Sequence, residues 1–261
     1  MDALLQACGS LARDAGKAVM QIYNSGDFEV ELKSDNSPLT KADKRSNEII
    51  EAGLKTISDF PILSEEGPHD VGSSKTFWLV DPLDGTKEFI KRNGEFTINI
   101  GLIKNNEPVL GVVYAPARKV LYFGAAESGA FKQPDGKKAE RIVAEYQGLL
   151  PTVATSRTHL SSAAEAFAAK LGEHRTIYAG SSLKFCLIAE GTATVYPRFV
   201  PCWLWDTAAA DAIVRAAGGT VNDLHGRALV YDPGHLQSPH FIAATKGQNY
   251  QEIVRDMMEN I

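Results

Sequence analysis

The chain is short of cysteine, of long apolar runs and of positive charge, and each shortage removes a class of protein. Its three cysteines, Cys8, Cys186 and Cys202, stand far apart in 261 residues. They make neither a disulfide framework nor a short-spaced metal motif, so small apolar filler in a reducing compartment is the expected role. No stretch approaches the roughly 18 to 20 apolar residues that span a bilayer. The opening MDALLQACGSLARDAGKAVMQIY carries acids where a signal peptide carries an apolar core. Cytoplasm is therefore expected, with peripheral association at the inner membrane left open. Acids outnumber bases, 32 to 27, so a broad basic surface for a nucleic-acid polymer is not expected. The glycine patterns of dinucleotide-binding folds and of P-loops are missing, and no period repeats.

What is there is an ordinary globular composition, 44% hydrophobic and 23% charged, which disfavours disorder and fibres. The length suits one compact unit of two closely packed halves. Leu4, Cys8, Leu11, Ala15, Val19 and Ile22 recur at helical spacing and predict a helix over 2–23. A second helix is expected over 41–57, with Thr40 and Asp43 spaced as a capping box at its start. PILSEE and KTFWLVDP read as strands, and 97–134 alternates like a run of strands joined by turns. Pro134-Asp135-Gly136 suggests a soft boundary, giving halves 1–134 and 135–261. The second half should open on a strand at 152–156 and a helix at about 160–171, and end on a helix near 249–260.

The stretch WLVDPLDGTKEF, 78–89, is the sharpest signal. A strand over 77–80 should be buried and should end at Val80, yet Asp81 follows at once and Asp84 three residues later. Ionised carboxylates at such a place are costly without cations or hydrogen bonds. In a turn, Pro82 and Gly85 can aim both acids and the Leu83 carbonyl at one point, an all-oxygen set that suits Mg2+. Gly85 and Thr86 can then present N–H groups to a phosphate. The plainer alternative is that Asp81 caps a turn and Asp84 a helix. Glu65 and Glu66 end the preceding strand, and Asp206 opens a helical run over 207–217. Taken singly, Glu65 reads as a surface acid and Asp206 as an N-cap.

Four segments together carry more: SDNSPLTKAD at 34–43, LSEE at 63–66, WLVDPLDGTKEF at 78–89 and WDTAAADAI at 205–213. This set resembles the inositol monophosphatase superfamily of metal-dependent phosphatases. Within it, DGTKEFIKRNGEFTINI and GSSLKFCLIAEGTATVYPRF resemble the 3'(2'),5'-bisphosphate nucleotidase branch. The resemblance implies a layered α/β/α/β/α sugar-phosphatase fold with metals where the halves meet. It assigns Glu65, Asp81 and the Leu83 carbonyl to one Mg2+, and Asp81, Asp84 and Asp206 to a second, with room for a third. It implies that Leu83, Asp84, Gly85 and Thr86 touch the scissile phosphate, with Glu65 and Asp206 at its border. Glu65, Asp43 and Thr86 would activate the attacking water, with Thr40 in support.

The implied substrate is a small nucleotide bisphosphate, adenosine 3',5'-bisphosphate or its sulfated form, handled by a monomer. Such a ligand needs cations beyond the metals, and Ser156, Arg157, His159, Ser181, Ser182, Lys184 and Arg198 are the polar candidates. Lys184 leads, because GSSLK joins hydroxyls and a charge in five residues. Trp203 and Trp205 are expected to fill the interface beneath Asp206 rather than to stack on adenine. An inositol or sugar monophosphatase shares the metal chemistry and stays open as an alternative. A non-catalytic phosphate-binding protein is the reading from another class, and it would not need the full acid set.

Overall fold

A computed structural model describes residues 2–33, 37–157 and 161–259. Residues 34–36 of the segment SDNSPLTKAD, and the candidate His159, lie outside the described residues. Seven α-helices are described: α1 (Asp2–Ser25), α2 (Lys41–Ile57), α3 (Thr86–Ile90), α4 (Ser162–Lys170), α5 (Leu183–Ala189), α6 (Leu204–Ala216) and α7 (Gln251–Glu259). Helix α1 exists because Leu5, Cys8, Ala12, Ala15 and Val19 form one buried stripe. Helix α2 starts where sequence places it, at the Thr40 and Asp43 capping box.

Helices α1 and α2 cover one face of a seven-stranded sheet whose strands lie side by side in chain order. These are Ile62–Ser64, Thr76–Asp84, Thr97–Lys104, Glu107–Ala115, Val120–Ala125, Gly129–Pro134 and Glu140–Ile142. The first pair is parallel and the rest antiparallel. Strand periodicity divides the second strand between two cores. Trp78 and Val80 pack with α1 and α2, whereas Phe77 and Leu79 belong to the core that contains α5 and α6.

Beyond α5 and α6 lies a five-stranded sheet in the order Arg175–Tyr178, Thr152–Thr155, Val195–Arg198, Phe241–Ala244, Thr220–Asp223. A third core, including Phe167, Val195, Ile242 and Val254, joins that sheet to α4 and α7. The layers therefore run α/β/α/β/α, the expected sugar-phosphatase architecture.

A stripe of glycines sets the height of α6 over the first sheet. Gly101 pairs with Gly111, and Gly111 with Gly124, across three adjacent strands. A Cβ on Gly111 would stand 1.8 Å from the Ala209 carbonyl oxygen, and one on Gly101 would stand 3.0 Å from the Ala209 nitrogen. Backbone approach this close needs glycine on the sheet and alanine on the helix. It lays the start of α6, with Asp206, against the strand that carries Asp81 and Asp84.

Two expectations need correction here. The Thr76–Asp84 strand does not end at Val80. Asp81 pairs with Asn99 and Asp84 with Thr97, with a register irregularity between them; Pro82 is tolerated because a bulge excuses it from the ladder. Nor is Asp206 an N-cap: α6 begins at Leu204, and Asp206 is its third residue, its carboxylate accepting the N–H of the N-cap residue Trp203. Leu204 and Trp205 already occupy buried helical positions, so packing moved the start back by one turn.

Candidate metal and substrate site

The bulge between Asp81 and Asp84 turns two acids of one strand toward the start of α6. Carboxylate oxygens of Asp81, Asp84 and Asp206 all lie within 4.8 Å of one another. Each acid is fixed by protein donors on one oxygen. Asp81 Oδ1 accepts the N–H of Leu83 at 3.0 Å, and Asp206 Oδ2 accepts that of Trp203 at 2.9 Å. Asp84 Oδ2 accepts the Ser181 hydroxyl at 2.6 Å and the Ser182 N–H at 2.8 Å. The second oxygens of Asp84 and Asp206 receive no hydrogen bond among the described residues.

Three carboxylates packed this closely repel, and none of the three forms an ion pair with a cation among the described residues. Burial, then Glu65, Asp84 and Asp206, push the Asp81 pKa well above the carboxylate range. Burial and then Asp84 push Asp206 to about 8. Hard oxygen donors, with an open atom on Asp84 and on Asp206, and clustered negative charge fit a divalent cation such as Mg2+. The Leu83 carbonyl accepts from the Thr86 hydroxyl at 3.3 Å, and both residues line the same cavity as Asp81.

Glu65 lines the same cavity beside the triad. It lies near enough to Asp81 to raise its pKa, and its own carboxylate accepts Lys33 at 2.6 Å. The Lys33 ammonium also contacts Glu66. Lys33 is a site residue that sequence reasoning missed, because nothing local pairs it with an acid 32 residues on.

Thr40, Asp43 and Thr86 meet as expected. Asp43 Oδ2 accepts from the Thr40 N–H at 2.8 Å and from its hydroxyl at 2.5 Å, and Oδ1 accepts the Thr86 hydroxyl at 3.0 Å. Burial lifts the Asp43 pKa to about 6, against the lowering by its hydrogen bonds to Thr40 and Thr86. The same acid thus caps α2 and holds Thr86, so the capping and catalytic readings are compatible. Ser46 adds a prop by donating to the Pro82 carbonyl at 2.7 Å.

A second cavity shares Asp84, Gly85, Glu88 and Asp206 with the first, and adds Ser156, Lys184, Tyr196, Arg198 and Phe241. Lys184 is buried and donates to the carbonyls of Ser181 at 2.8 Å and Ala179 at 3.3 Å. Burial and then Arg198 pull its pKa down to about 8. Arg198 donates to the carbonyls of Val200 and Pro201, both at 3.2 Å. Neither cation forms an ion pair with a carboxylate among the described residues, although Asp84, Glu88 and Asp206 share the lining of this cavity.

The remaining candidates have other partners. Ser181 and Ser182 serve Asp84, and the Ser182 hydroxyl also lies 3.0 Å from the Asp206 carbonyl oxygen. Ser181 holds a φ of 55°, a left-handed conformation uncommon for serine. Arg157 is bound with Arg118 to the buried Glu95, joining two loops instead of facing the cavity. Gly85, at φ 91°, sits 3.2 Å (as a Cβ) from the Glu95 carbonyl oxygen, so a side chain there would strain the turn. Trp205 is buried as expected, but Trp203 is exposed and lines the acidic cavity.

The sequence matches the Inositol monophosphatase family over residues 1–261. It is 50% identical over 235 residues to the 3'(2'),5'-bisphosphate nucleotidase CysQ of Salmonella typhimurium, covering 88% of this chain and 94% of that protein. The protein of the same name in Haemophilus influenzae is 32% identical over 240 residues, 89% of each. Among solved structures, CysQ from Bacteroides thetaiotaomicron superposes with a TM-score of 0.83 at 41% identity, over 95% of this chain and 98% of that one.

Proposed function

The chain belongs to the inositol monophosphatase family, and from that premise we propose that it is a Mg2+-dependent 3'(2'),5'-bisphosphate nucleotidase. Its substrate in this reading is adenosine 3',5'-bisphosphate, released as AMP and phosphate, with the sulfated nucleotide as a second substrate. The observation that carries the reading is the pair of cavities meeting at Asp84 and Asp206. One, lined by Glu65, Asp81, Asp84 and Asp206, would take cations; the other adds the buried Lys184 and the half-buried Arg198, neither in an ion pair among the described residues, and would take a second phosphate. The name 3'(2'),5'-bisphosphate nucleotidase is borne by a relative 50% identical to this chain, which covers 94% of that protein.

Two Mg2+ ions, with room for a third, would be held by Asp81, Asp84 and Asp206, with Glu65 and the Leu83 carbonyl beside them. When bound they supply Lewis-acid charge at phosphorus and acidify the attacking water. The chain's own part is orientation. Of the two acceptors in reach of the Thr86 hydroxyl proton, the Asp43 carboxylate at 3.0 Å is a stronger claim than the Leu83 carbonyl at 3.3 Å, so the Thr86 oxygen is left to accept a proton from water. Asp43, poised near neutrality and fixed twice by Thr40, is the terminus of that relay. Ser181 and Ser182 keep Asp84 in place, and Gly85 lets the backbone turn under the phosphate.

The test is a phosphate-release panel with Mg2+ on adenosine 3',5'-bisphosphate, inositol 1-phosphate and fructose 1,6-bisphosphate. The specificity constant should be highest for the nucleotide by at least tenfold, and excess chelator should abolish release. A preference for inositol 1-phosphate would replace this reading with the monophosphatase, and no release from any ester would leave a phosphate-binding protein.

A further inference from the structure

We infer that the exposed indole of Trp203 is a stacking platform for the purine of the ligand, which makes it a specificity-determining residue. The inference rests on the nucleotidase reading for the identity of the base. Its own basis is a contrast along three residues: Cys202 and Leu204 are buried at 8% and 1% exposure, whereas Trp203 between them is 41% exposed. An indole left in water forgoes the gain of burying it, so its position calls for a use.

The ring is held ready for one. Its partner is Trp205, with centroids 5.3 Å apart and planes 18° from parallel. Trp205 is buried in turn, 5.1 Å from the His69 ring. The buried Trp205 indole thus backs one face of Trp203, while the His69 ring, exposed and tilted 35° to Trp205, flanks Trp205. The backbone is fixed as well: Trp203 pairs with Gln237 across a two-residue ladder, and its N–H binds the Asp206 carboxylate. A flat face tied to a metal-ligand candidate stands a short span from any phosphate bound there. Alternation along the strand puts Cys202 on the cation-bearing cavity and Trp203 on the acidic one.

The chemistry that such a face recognises is a flat π-system, by stacking that tolerates any base. In a nucleoside bisphosphate the base and the second phosphate leave the ribose in different directions. Two walls are therefore needed, and the molecule offers an aromatic one and a cationic one. A polyol phosphate has no group to lay on Trp203.

The experiment measures AMP and ribose 5-phosphate binding by calorimetry with Mg2+ present, for the parent, Trp203→Leu and Trp203→Phe. Stacking of one base predicts a roughly 5- to 100-fold loss of AMP affinity in Trp203→Leu. Trp203→Phe should retain most of it, and ribose 5-phosphate should bind all three alike. Absence of AMP binding to the parent, or AMP affinity in Trp203→Leu within twofold of it, overturns the platform. So does an equal loss for ribose 5-phosphate, which would indicate a displaced Asp206. Phosphate release is read separately: stacking of AMP on a chain that does not hydrolyse the bisphosphate would sink the activity while leaving the platform standing.

Discussion

Ser182 presents both its backbone N–H and its hydroxyl to one oxygen of Asp84, at 2.8 and 2.9 Å, from 98 residues away. The same hydroxyl lies 3.0 Å from the Asp206 carbonyl oxygen and accepts from Asn99 at 2.9 Å. One side chain therefore ties the bulged strand, the start of α6 and the neighbouring strand together. Its single proton can serve only one acceptor at a time, and the charged oxygen is the stronger claim.

Ser182→Ala removes that hydroxyl but leaves the N–H in place. Loss of one hydrogen bond to a charged group, about 1.5 to 3 kcal/mol, should loosen Asp84 rather than release it. We expect turnover to fall roughly 10- to 100-fold, with a rise in the Mg2+ concentration needed for half activity. Kinetics across a Mg2+ titration would show this, and an unchanged half-activation point would mean that Ser182 does not position Asp84.

The acid triad makes stability depend on metal and pH together. Asp206 has a folded pKa of about 8 against 3.8 ordinarily. A carboxyl with a raised folded pKa contributes stability that is full below about pH 4 and lost as pH climbs through 8. Mg2+ takes over from the proton only where the proton has left. At ten times its dissociation constant it should add about 1.4 kcal/mol, roughly 2 to 4 °C of melting temperature. Melting with Mg2+ and with chelator should differ by that much at pH 8 and by little at pH 5. Equal shifts at both values would contradict the raised carboxyls.

Much of this centre was legible because it is local. Asp81 and Asp84 flank a Pro at a strand end, and Thr40 and Asp43 stand three residues apart as a cap; both patterns exist within one turn of chain. The props were not legible. Ser181 and Ser182 looked like phosphate ligands, since GSSLK shows hydroxyls but not the carboxylate they meet. Lys33 meets Glu65, and Trp203 turns outward while Trp205 turns in, only once the layers are assembled. The glycine stripe is spread over three strands, so its register is a property of the sheet and not of any window of sequence. The start of α6 was misread for the same reason, as tertiary burial of Leu204 and Trp205 extended a helix that Asp206 alone would have opened later.

The glycine stripe gives a test of how α6 is placed. In Gly111→Ala the new methyl would meet the Ala209 carbonyl at 1.8 Å, with backbone on both sides and no flexible side chain to yield. Overpacking of this kind costs about 1 to 3 kcal/mol or more. Helix α6 should lift, carrying Asp206 from the triad, so melting temperature and Mg2+ affinity should fall together. A variant that melts within a degree of the parent would show that the helix is not seated on this stripe.

In the proposed reading Lys184 joins stability to substrate choice, and the two roles would have opposite dependence on charge. Burial and Arg198 lower its folded pKa to about 8 from 10.5. With the folded pKa below the unfolded one, the unfolded chain binds more protons between these values, so this group makes stability rise with pH from about 8 to 10.5. The full effect is on the order of 3 kcal/mol. Lys184→Met keeps the aliphatic bulk and removes the ammonium, so that rise should vanish when unfolding of parent and variant is compared at pH 7.5 and 10. Catalysis should run the other way. An ammonium contacting the second phosphate works only while protonated, so the parent's KM for adenosine 3',5'-bisphosphate should climb above about pH 8. KM for adenosine 3'-monophosphate, which lacks that phosphate, should not climb with it. In Lys184→Met the bisphosphate should already show the higher KM at neutral pH, by roughly tenfold for one lost charged contact. Equal proportional losses on both substrates would instead confine Lys184 to its bonds with the Ala179 and Ser181 carbonyls, as a brace for the loop that holds Asp84.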